Sequence, residues 1–273
     1  MNTTAALLTK HEKYALIAPA LAQAGIALVV TDQFDTDTLG TFAGEIPRQL
    51  SPLDCAREKA RLALSLTGLP IGIGSEGTFG GGPLPGMMNW DTELLVLLDH
   101  TTGQEIVAQA AGPIALSALE SADLAAIEAH ILRHDPAQGW MLRIGETVQK
   151  GLIGFSAITK RLTAAGCVTA TTQLTEPVLL QPDYRAHLCP ARQHYIRQAA
   201  EQLAARYVAQ CPQCQTPNFW RGQAVAGLPC ETCAYPTSAV HYYHKCCQQC
   251  GYTEQEPAAT ATASAAHCPL CNP

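Results

Sequence analysis

Four C-x-x-C pairs crowd the region after residue 210: Cys211/Cys214 in "CPQC", Cys230/Cys233 in "CETC", Cys247/Cys250 in "CQQC" and Cys268/Cys271 in "CPLC". Two residues between cysteines let one tight turn aim both thiolates at a single tetrahedral ion, and a second such turn supplies the other two ligands. Fifteen residues separate the first two pairs and seventeen the last two, and both gaps fit the spacing of a zinc ribbon. All eight cysteines are therefore the expected ligands of two structural zinc ions. Sequential pairing, which makes two sites in tandem, is the default. Cross-braced pairing, first pair with third and second with fourth, fits the same spacing. Cys55, Cys167, Cys189 and Cys246 read as non-ligands, small core residues before nucleophiles. His241, His244 and His267 fit surface or supporting roles, because each ion already has four thiolates.

The rest of the composition narrows the function. Twelve cysteines without a legible secretory leader predict a reducing, cytoplasmic compartment in which thiols are held by metal and not by disulfides. Seventeen Lys and Arg against 23 Asp and Glu give a net charge of −6, poor material for a phosphate-backbone binder. The cysteine-rich segment holds only Arg221 and Lys245 as fixed cations, against Glu231, Glu254 and Glu256. Four thiolates around Zn²⁺ leave each site formally at about −2. The segment thus reads as structural support or as a contact surface for a protein partner, and nucleic acid is disfavoured. No run approaches the length of a membrane span.

The pattern before residue 183 is α/β: a mixed, largely parallel sheet flanked by helices. The short apolar run at 5–9, the helical face of Tyr14, Ile17, Leu21 and Ala24, and the buried-strand composition of "IALVV" (26–30) make a β-α-β unit. Pro19 kinks that helix or delays its start. Ser51, Pro52 and Asp54 announce the next helix, and Gly68 with Pro70 stops it. "IGIG" (71–74) follows as a strand, and 93–99 with 104–110 as a hairpin. Further on, the signals predict a helix from Ser121 to about His134, a strand at "WMLRI", a helix from Glu146 to Ala165 and a strand at 167–174. The low-complexity stretch 258–266 reads as a mobile loop. The expected division is an α/β domain over 1–182, a connecting helix within 183–210 and the zinc module over 211–273.

Several polar clusters in the α/β part can meet, since ligands bind at the ends of parallel strands in open sheets. Lys10 and Lys13 flank His11 where the first strand gives way to its helix. Asp35, Asp37 and Glu45 lie in "DTDTLGTFAGE", with Arg48 just beyond, and Ser75 and Glu76 end a buried strand. Asp91 and Glu93 in "DTELL" are a fourth candidate. Glycine-rich turns and lysines suit phosphate, while carboxylates suit Mg²⁺, which takes a few acidic ligands with water and substrate phosphate. No G-K-[ST] follows the glycines, so this is not a P-loop. Asp35 and Asp37 also fit as plain turn-formers. Arg185, His187 and Arg192 in "DYRAHLCPAR" fit either an anion site or the polar side of a linking helix.

The stretches "TKHEK", "FDTDTLGTFAGEIPR", "GSEGTFG", "DTELLVLLD", "DYRAHLCPAR" and "CPQC…GLPCETCAYPT" are together similar to an uncharacterised bacterial family, a domain of unknown function that ends in a zinc-ribbon-like segment. A weaker likeness, carried by T-x-x-x-K, "GE", "A-x-x-KA-x-x-A" and "IGIxSEG", resembles the inosine/xanthosine triphosphate pyrophosphatases. Lys10 and His11 stand where that family commonly has an Asn. The second resemblance implies that Lys13 contacts phosphate and that Glu45 and Glu76 hold metal. The leading expectation is Mg²⁺-dependent hydrolysis of a nucleotide or related phosphoanhydride. Glu45 and Glu76 then hold the metal, and Lys10, Lys13, Arg48 and Ser75 bind substrate. The alternative is a non-enzymatic, zinc-containing adaptor. Glu45, Glu76 and Lys13 in one cleft would favour the enzyme, and their scatter would favour the adaptor.

Overall fold

The computed structural model describes residues 3–9, 12–39, 49–80, 82–169 and 173–273. The chain divides into two units, Met1–Leu203 and Ala204–Pro273.

The first unit starts with the expected β-α-β: β1 (Thr3–Leu8), α1 (Tyr14–Gln23) and β2 (Ile26–Thr31), with β1 and β2 parallel. Pro19 lies inside α1. The next helix, α2 (Pro52–Thr67), starts and stops where its sequence signals lie. The Ser51 hydroxyl accepts the Asp54 backbone N–H at 3.1 Å, and Gly68 closes the helix in the left-handed conformation with its N–H on the Leu64 carbonyl. The chain then forms β3 (Ile71–Phe79), which runs parallel to β1, followed by the antiparallel strands β4 (Asn89–Asp99) and β5 (Gln104–Ile114). The order β2-β1-β3-β4-β5 makes a mixed sheet whose parallel pairs are β1 with β2 and with β3. Its centre carries near-continuous apolar runs, such as Ala5 to Leu8 and Leu94 to Leu97, all buried, as strands covered on both faces require.

α2 covers one of those faces at close range. A Cβ placed on Gly72 would lie 2.7 Å from the Leu64 side chain, and one on Gly74 would lie 2.7 Å from the Ala60 backbone nitrogen and against the Ala56 carbonyl oxygen. Two glycines on β3 facing Ala56 and Ala60 on α2 therefore set the helix–sheet separation.

A second sheet in the same unit has the order β6-β9-β7-β8 and is antiparallel throughout. Its strands are β6 (Leu119–Asp123), β7 (Gly139–Ile144), β8 (Thr147–Ile153) and β9 (Gln173–Pro182). With α3 (Leu124–Leu132) and α4 (Gly154–Ala164), it encloses Ile127, Trp140, Leu142, Ile158 and Leu180. Two sequence expectations change here. Ser121 lies in a strand, and the cap of α3 is Asp123, whose carboxylate accepts the Ala125 N–H at 2.9 Å. The helix expected over 146–165 exists only in its second half. Gly151 and Gly154 take φ of 75° and 72°, outside helical geometry, and the residues before Gly154 form a strand. The last helix, α5 (Pro190–Val208), buries Ile196, Ala199 and Leu203 as its periodicity predicts.

The second unit contains a three-stranded antiparallel sheet, β10 (Arg221–Ala226), β11 (Val240–Cys246) and β12 (Thr253–Pro257), with β11 in the middle. The low-complexity stretch expected to be a mobile loop is tied in by backbone bonds from Ala263 N–H to the Pro229 carbonyl (2.8 Å) and from Glu231 N–H to the Ala263 carbonyl (2.9 Å). Among the described residues, no helix is long and apolar enough to cross a membrane.

Replacing Gly74 with Ala forces α2 away from the sheet against two backbone groups. The expected loss is about 3 kcal/mol of unfolding free energy, read from the shift in urea midpoint, whereas Gly25→Ala, where an added Cβ meets nothing, tests the backbone-conformation cost alone.

Candidate functional site

The eight paired cysteines form two clusters, and the pairing is interleaved. Cys211, Cys214, Cys247 and Cys250 make one group and Cys230, Cys233, Cys268 and Cys271 the other, with the sulfurs of each group within 4.8 Å of one another. This corrects the default sequential pairing in favour of the cross-brace, and strand topology supplies the reason. β10 and β11 are antiparallel, so the turn before β10 and the turn after β11 meet at one end of the sheet. The turn inside the β10–β11 connection lies at the other end. β12, antiparallel to β11, brings the chain back there to Cys268 and Cys271. Sequential pairing would have to join opposite ends of the sheet.

The donor set fits a tetrahedral ion. Sulfurs 2.3 Å from a central Zn²⁺ stand about 3.8 Å apart along each tetrahedral edge. The closest approaches are 3.7 Å for Cys211–Cys250, 3.5 Å for Cys214–Cys247, 3.9 Å for Cys230–Cys271 and 3.6 Å for Cys233–Cys268, all far beyond a disulfide. Each turn closes the same way, with a backbone N–H four residues on bonding the first cysteine's carbonyl: Gln215 to Cys211, Ala234 to Cys230, Gly251 to Cys247 and Asn272 to Cys268. Gln215, Ala234 and Gly251 hold positive φ to do so. Four thiols at such range do not all ionise without a cation. Hydrogen bonds to Thr216 draw Cys214 down to about 6. Against the Tyr252 backbone N–H, burial and the neighbouring thiols push Cys250 up to about 12. Phe219, buried with Cys211 and Cys247 and backed by Tyr252, supplies a small apolar patch beneath the first group.

The first unit contains a different site. Side chains alternate across a strand, so Ser75 and Glu76 leave β3 on opposite faces. Glu76 turns to the α2 face, where the Lys59 ammonium meets its carboxylate at 2.5 Å. Ser75 turns the other way and accepts a hydrogen bond from the Lys13 Nζ at 2.8 Å. Lys13, at the N-terminus of α1, also reaches the Glu93 Oε2 at 3.3 Å, and Arg192, in the first turn of α5, donates its Nε to the Glu93 Oε1. The Arg192 Nη1 donates to the Tyr184 carbonyl at 2.7 Å. Gly77 pairs with Glu93 across the sheet, and a Cβ there would lie 2.6 Å from the Glu93 carboxylate, so this glycine makes room for the ion pair. Lys13, Ser75, Glu93 and Arg192 are all buried.

Asp91 stands beside this network on the same face of β4. It is fully buried, opposite Phe79 on β3 and Gly112 on β5. The Tyr195 ring packs over Gly112. Neither Asp91 carboxylate oxygen has a hydrogen-bond partner among the described residues. Burial, with the Glu93 charge adding, raises its pKa to about 7. Burial also brings Lys13 down to about 8, against the pull of Glu93, and pushes the nearby Cys189 thiol up to about 11. The cluster therefore combines two fixed or near-fixed cations, one shared carboxylate and one carboxyl poised near neutrality.

Of the residues singled out in the sequence, the fold brings Lys13 and Ser75 together and sends Glu76 to the other face of the sheet. Lys10, Glu45 and Arg48 lie outside the described residues. Asp35 heads a short turn, its carbonyl accepting from the Thr38 N–H at 3.1 Å and hydroxyl at 2.6 Å, in keeping with a turn-former; the Asp37 side chain lies outside the description. Glu93 and Arg192, outside the leading set in sequence, are the centre of the network, and the apolar run after "DTE" was the signal that Glu93 enters a buried strand. Arg185 is paired with Asp183 at 2.6 Å, and the Asp183 Oδ2 also accepts from the Gly151 N–H.

One family model matches the chain, over residues 59–273, and describes a domain of unknown function (DUF6671). No curated protein and no solved structure matches, so the pyrophosphatase resemblance gains no support. The matched span takes in Lys59, Ser75, Asp91, Glu93, Arg192 and all eight clustered cysteines, and begins after Lys13.

Two outcomes test this geometry. Changing Cys211, Cys214, Cys247 and Cys250 together to Ser removes one cross-braced site and spares the other. Native mass spectrometry of that variant is expected to find one zinc per chain, whereas sequential pairing predicts none. The buried titrating groups also set a pH profile. Asp91 has a folded pKa of about 7 against an unfolded 3.8, so stability falls as pH rises from about 4 to 7. Lys13 has a folded pKa of about 8 against an unfolded 10.5, so stability rises again above about 8. The melting temperature in magnesium-free buffer is expected to pass through a minimum between those pH values, and Asp91→Asn is expected to abolish the acid-side decline.

Proposed function

The chain belongs to the DUF6671 family, whose description assigns no activity, and we propose that its α/β unit binds and hydrolyses a small phosphorylated compound with Mg²⁺, while two four-cysteine sites hold structural zinc. The observation that carries this reading is the convergence of four distant segments, at Lys13, Ser75, Asp91–Glu93 and Arg192, on one buried polar cluster around Asp91, whose carboxylate has no hydrogen-bond partner among the described residues. Ser75, Gly77 and Phe79 lie toward the carboxyl end of a strand that pairs in parallel with β1, where ligands gather in open α/β sheets.

Buried ion pairs stabilise a fold weakly, because desolvation offsets their attraction, and an orphaned buried carboxylate opposes folding. Binding chemistry accounts for both. Asp91 is the carboxylate with capacity for Mg²⁺, since Glu93 is engaged by Lys13 and Arg192. The ion would neutralise phosphate charge and polarise its oxygens. Lys13 and Arg192 hold Glu93 in place and set a positive field around the site, and the Ser75 hydroxyl can hydrogen-bond to a phosphate oxygen. Glu76, paired with Lys59 on the other face, has no part in this arrangement.

The competing reading, a zinc-containing adaptor without turnover, draws on that separation of Glu76 from Lys13. An assay of the zinc-loaded protein with Mg²⁺ and a panel of nucleoside triphosphates, following phosphate and pyrophosphate release, separates the two. Turnover is expected to fall at least about 100-fold in Asp91→Asn, with zinc content unchanged, and to stay within a few-fold in Glu76→Gln. No turnover with any substrate would leave the adaptor reading in possession, and full turnover in Asp91→Asn would remove Asp91 from the hydrolytic site.

A further inference from the structure

The larger sheet of the first unit ends on one side in an edge that its sequence does nothing to protect. β2 reads IALVVT and, among the described residues, pairs only with β1. Exposed edges invite pairing with another chain, and proteins blunt them with charge, proline or a bulge. The other edges of this unit carry such devices. β5 has Glu105 and Pro113, and the Gln202 Oε1 accepts its Gln109 N–H at 2.8 Å. β6 has Glu120, Asp123 and a register shift, and β8 has Lys150 and a register shift. β2 has none of these, and the whole stretch from Tyr14 to Thr31, α1 included, contains no charged residue.

The edge is open, and its hydrogen-bonding groups can be assigned. Tyr14, Val29 and Val30 are 44%, 44% and 43% exposed. Val29 lies in register with Ala6, on the face where Ala6 meets Ala63 of α2. Val30, in register with Leu7, faces the other way, because side chains alternate along a strand. Apolar side chains thus flank the edge on both faces of the sheet. The Thr3 N–H donates to the Gly25 carbonyl at 2.9 Å and the Thr9 N–H to the Thr31 carbonyl at 3.3 Å. In this parallel ladder Gly25, Ala27, Val29 and Thr31 therefore turn their backbone groups toward β1, and Ile26, Leu28 and Val30 direct theirs outward.

We propose that β2 pairs with the β2 of a second copy of this chain, antiparallel about a two-fold axis at Leu28, so that two five-stranded sheets become one continuous sheet. Hydrogen-bonded antiparallel pairs join residues whose backbone groups face each other. With Leu28 opposite the partner's Leu28 and Ile26 opposite the partner's Val30, every outward residue of β2 is used. Ala27 then stands opposite the partner's Val29 in a non-hydrogen-bonded pair, where side chains approach more closely. Charge selects this occupant. At a net −6 copies of the chain repel one another where their charged surfaces meet, and an uncharged face gives a charged partner nothing to recognise. A second uncharged face meets it without repulsion, and an isologous contact supplies that face by identity. The proposal stands apart from the hydrolase reading, since β2 contributes no residue to the cluster around Asp91 and Glu93.

Sedimentation velocity of the full-length, zinc-loaded protein at micromolar concentration tests it, and a dimer is expected. Leu28→Lys and Leu28→Glu each place like charges directly opposite one another at the axis. Either change is expected to weaken the dimer about 100-fold or more, leaving monomer, whereas mixing the two variants sets Lys against Glu and is expected to restore a heterodimer. Val30→Lys, at an exposed position, guards against misfolding of the Leu28 variants: a monomer with unchanged circular dichroism and zinc content is expected. A monomeric wild type, a dimer that persists in Val30→Lys, or folded Leu28 variants that stay monomeric when mixed would each overturn the proposal.

Discussion

The carboxylate of Glu93 is the joint on which the first unit turns. One oxygen meets Lys13 at the start of α1 and the other meets Arg192 in the first turn of α5, so a single side chain on β4 ties together segments far apart in sequence. A carboxylate in that position cannot stand alone, since removing one partner of a buried pair typically costs about 3–5 kcal/mol. The sheet is shaped around it. Gly77 leaves the space, Ser75 completes the coordination of Lys13, and Phe79 lies with its ring centre 6.0 Å from the Arg192 guanidinium carbon. Apolar side chains would fill this volume with less desolvation, so stability alone does not call for charges here. The arrangement fits a site whose charges serve a ligand, with Asp91 as the member left over.

The second unit solves a different problem with different means. Its strands β10 and β12 are largely exposed and β11 is mostly half-buried, and its buried apolar residues are few: Ala204, Phe219, Leu228, Ala263 and the inward cysteine of each turn. Two four-cysteine groups that could hold zinc stand where so short a segment cannot build a core of its own. Interleaving places one four-cysteine group at each end of the small sheet. Both ends of the small sheet are thereby clamped.

Much of this was legible in the sequence, and what was not has identifiable causes. Ser51 and Gly68 mark α2 because capping is local chemistry, and the four C-x-x-C pairs mark the metal ligands because tetrahedral coordination dictates their spacing. The pairing was not legible, since it depends on which end of a sheet each turn occupies, and the strands β10 to β12 carry little apolar pattern. The helix expected from Glu146 onward failed at Gly151 and Gly154, where positive φ overrode the apolar spacing. The candidate site was half legible. Lys13 and Ser75 were identified, but Glu76 was assigned with them although adjacent strand residues face opposite ways. The apolar run after Glu93 marked its entry into a buried strand, but its pairing with Arg192 arises only through long-range packing, which no local signal encodes.

The most direct measurement is the titration of the Asp91 carboxyl carbon by ¹³C NMR in uniformly labelled, zinc-loaded protein, without and with Mg²⁺, the signal assigned by its loss in Asp91→Asn. The account predicts a midpoint near pH 7 without magnesium, moving to lower pH as the ion is added. A midpoint in the ordinary carboxylate range, or one that magnesium leaves in place, would contradict the claim that Asp91 is the vacant member of a metal-assisted binding site.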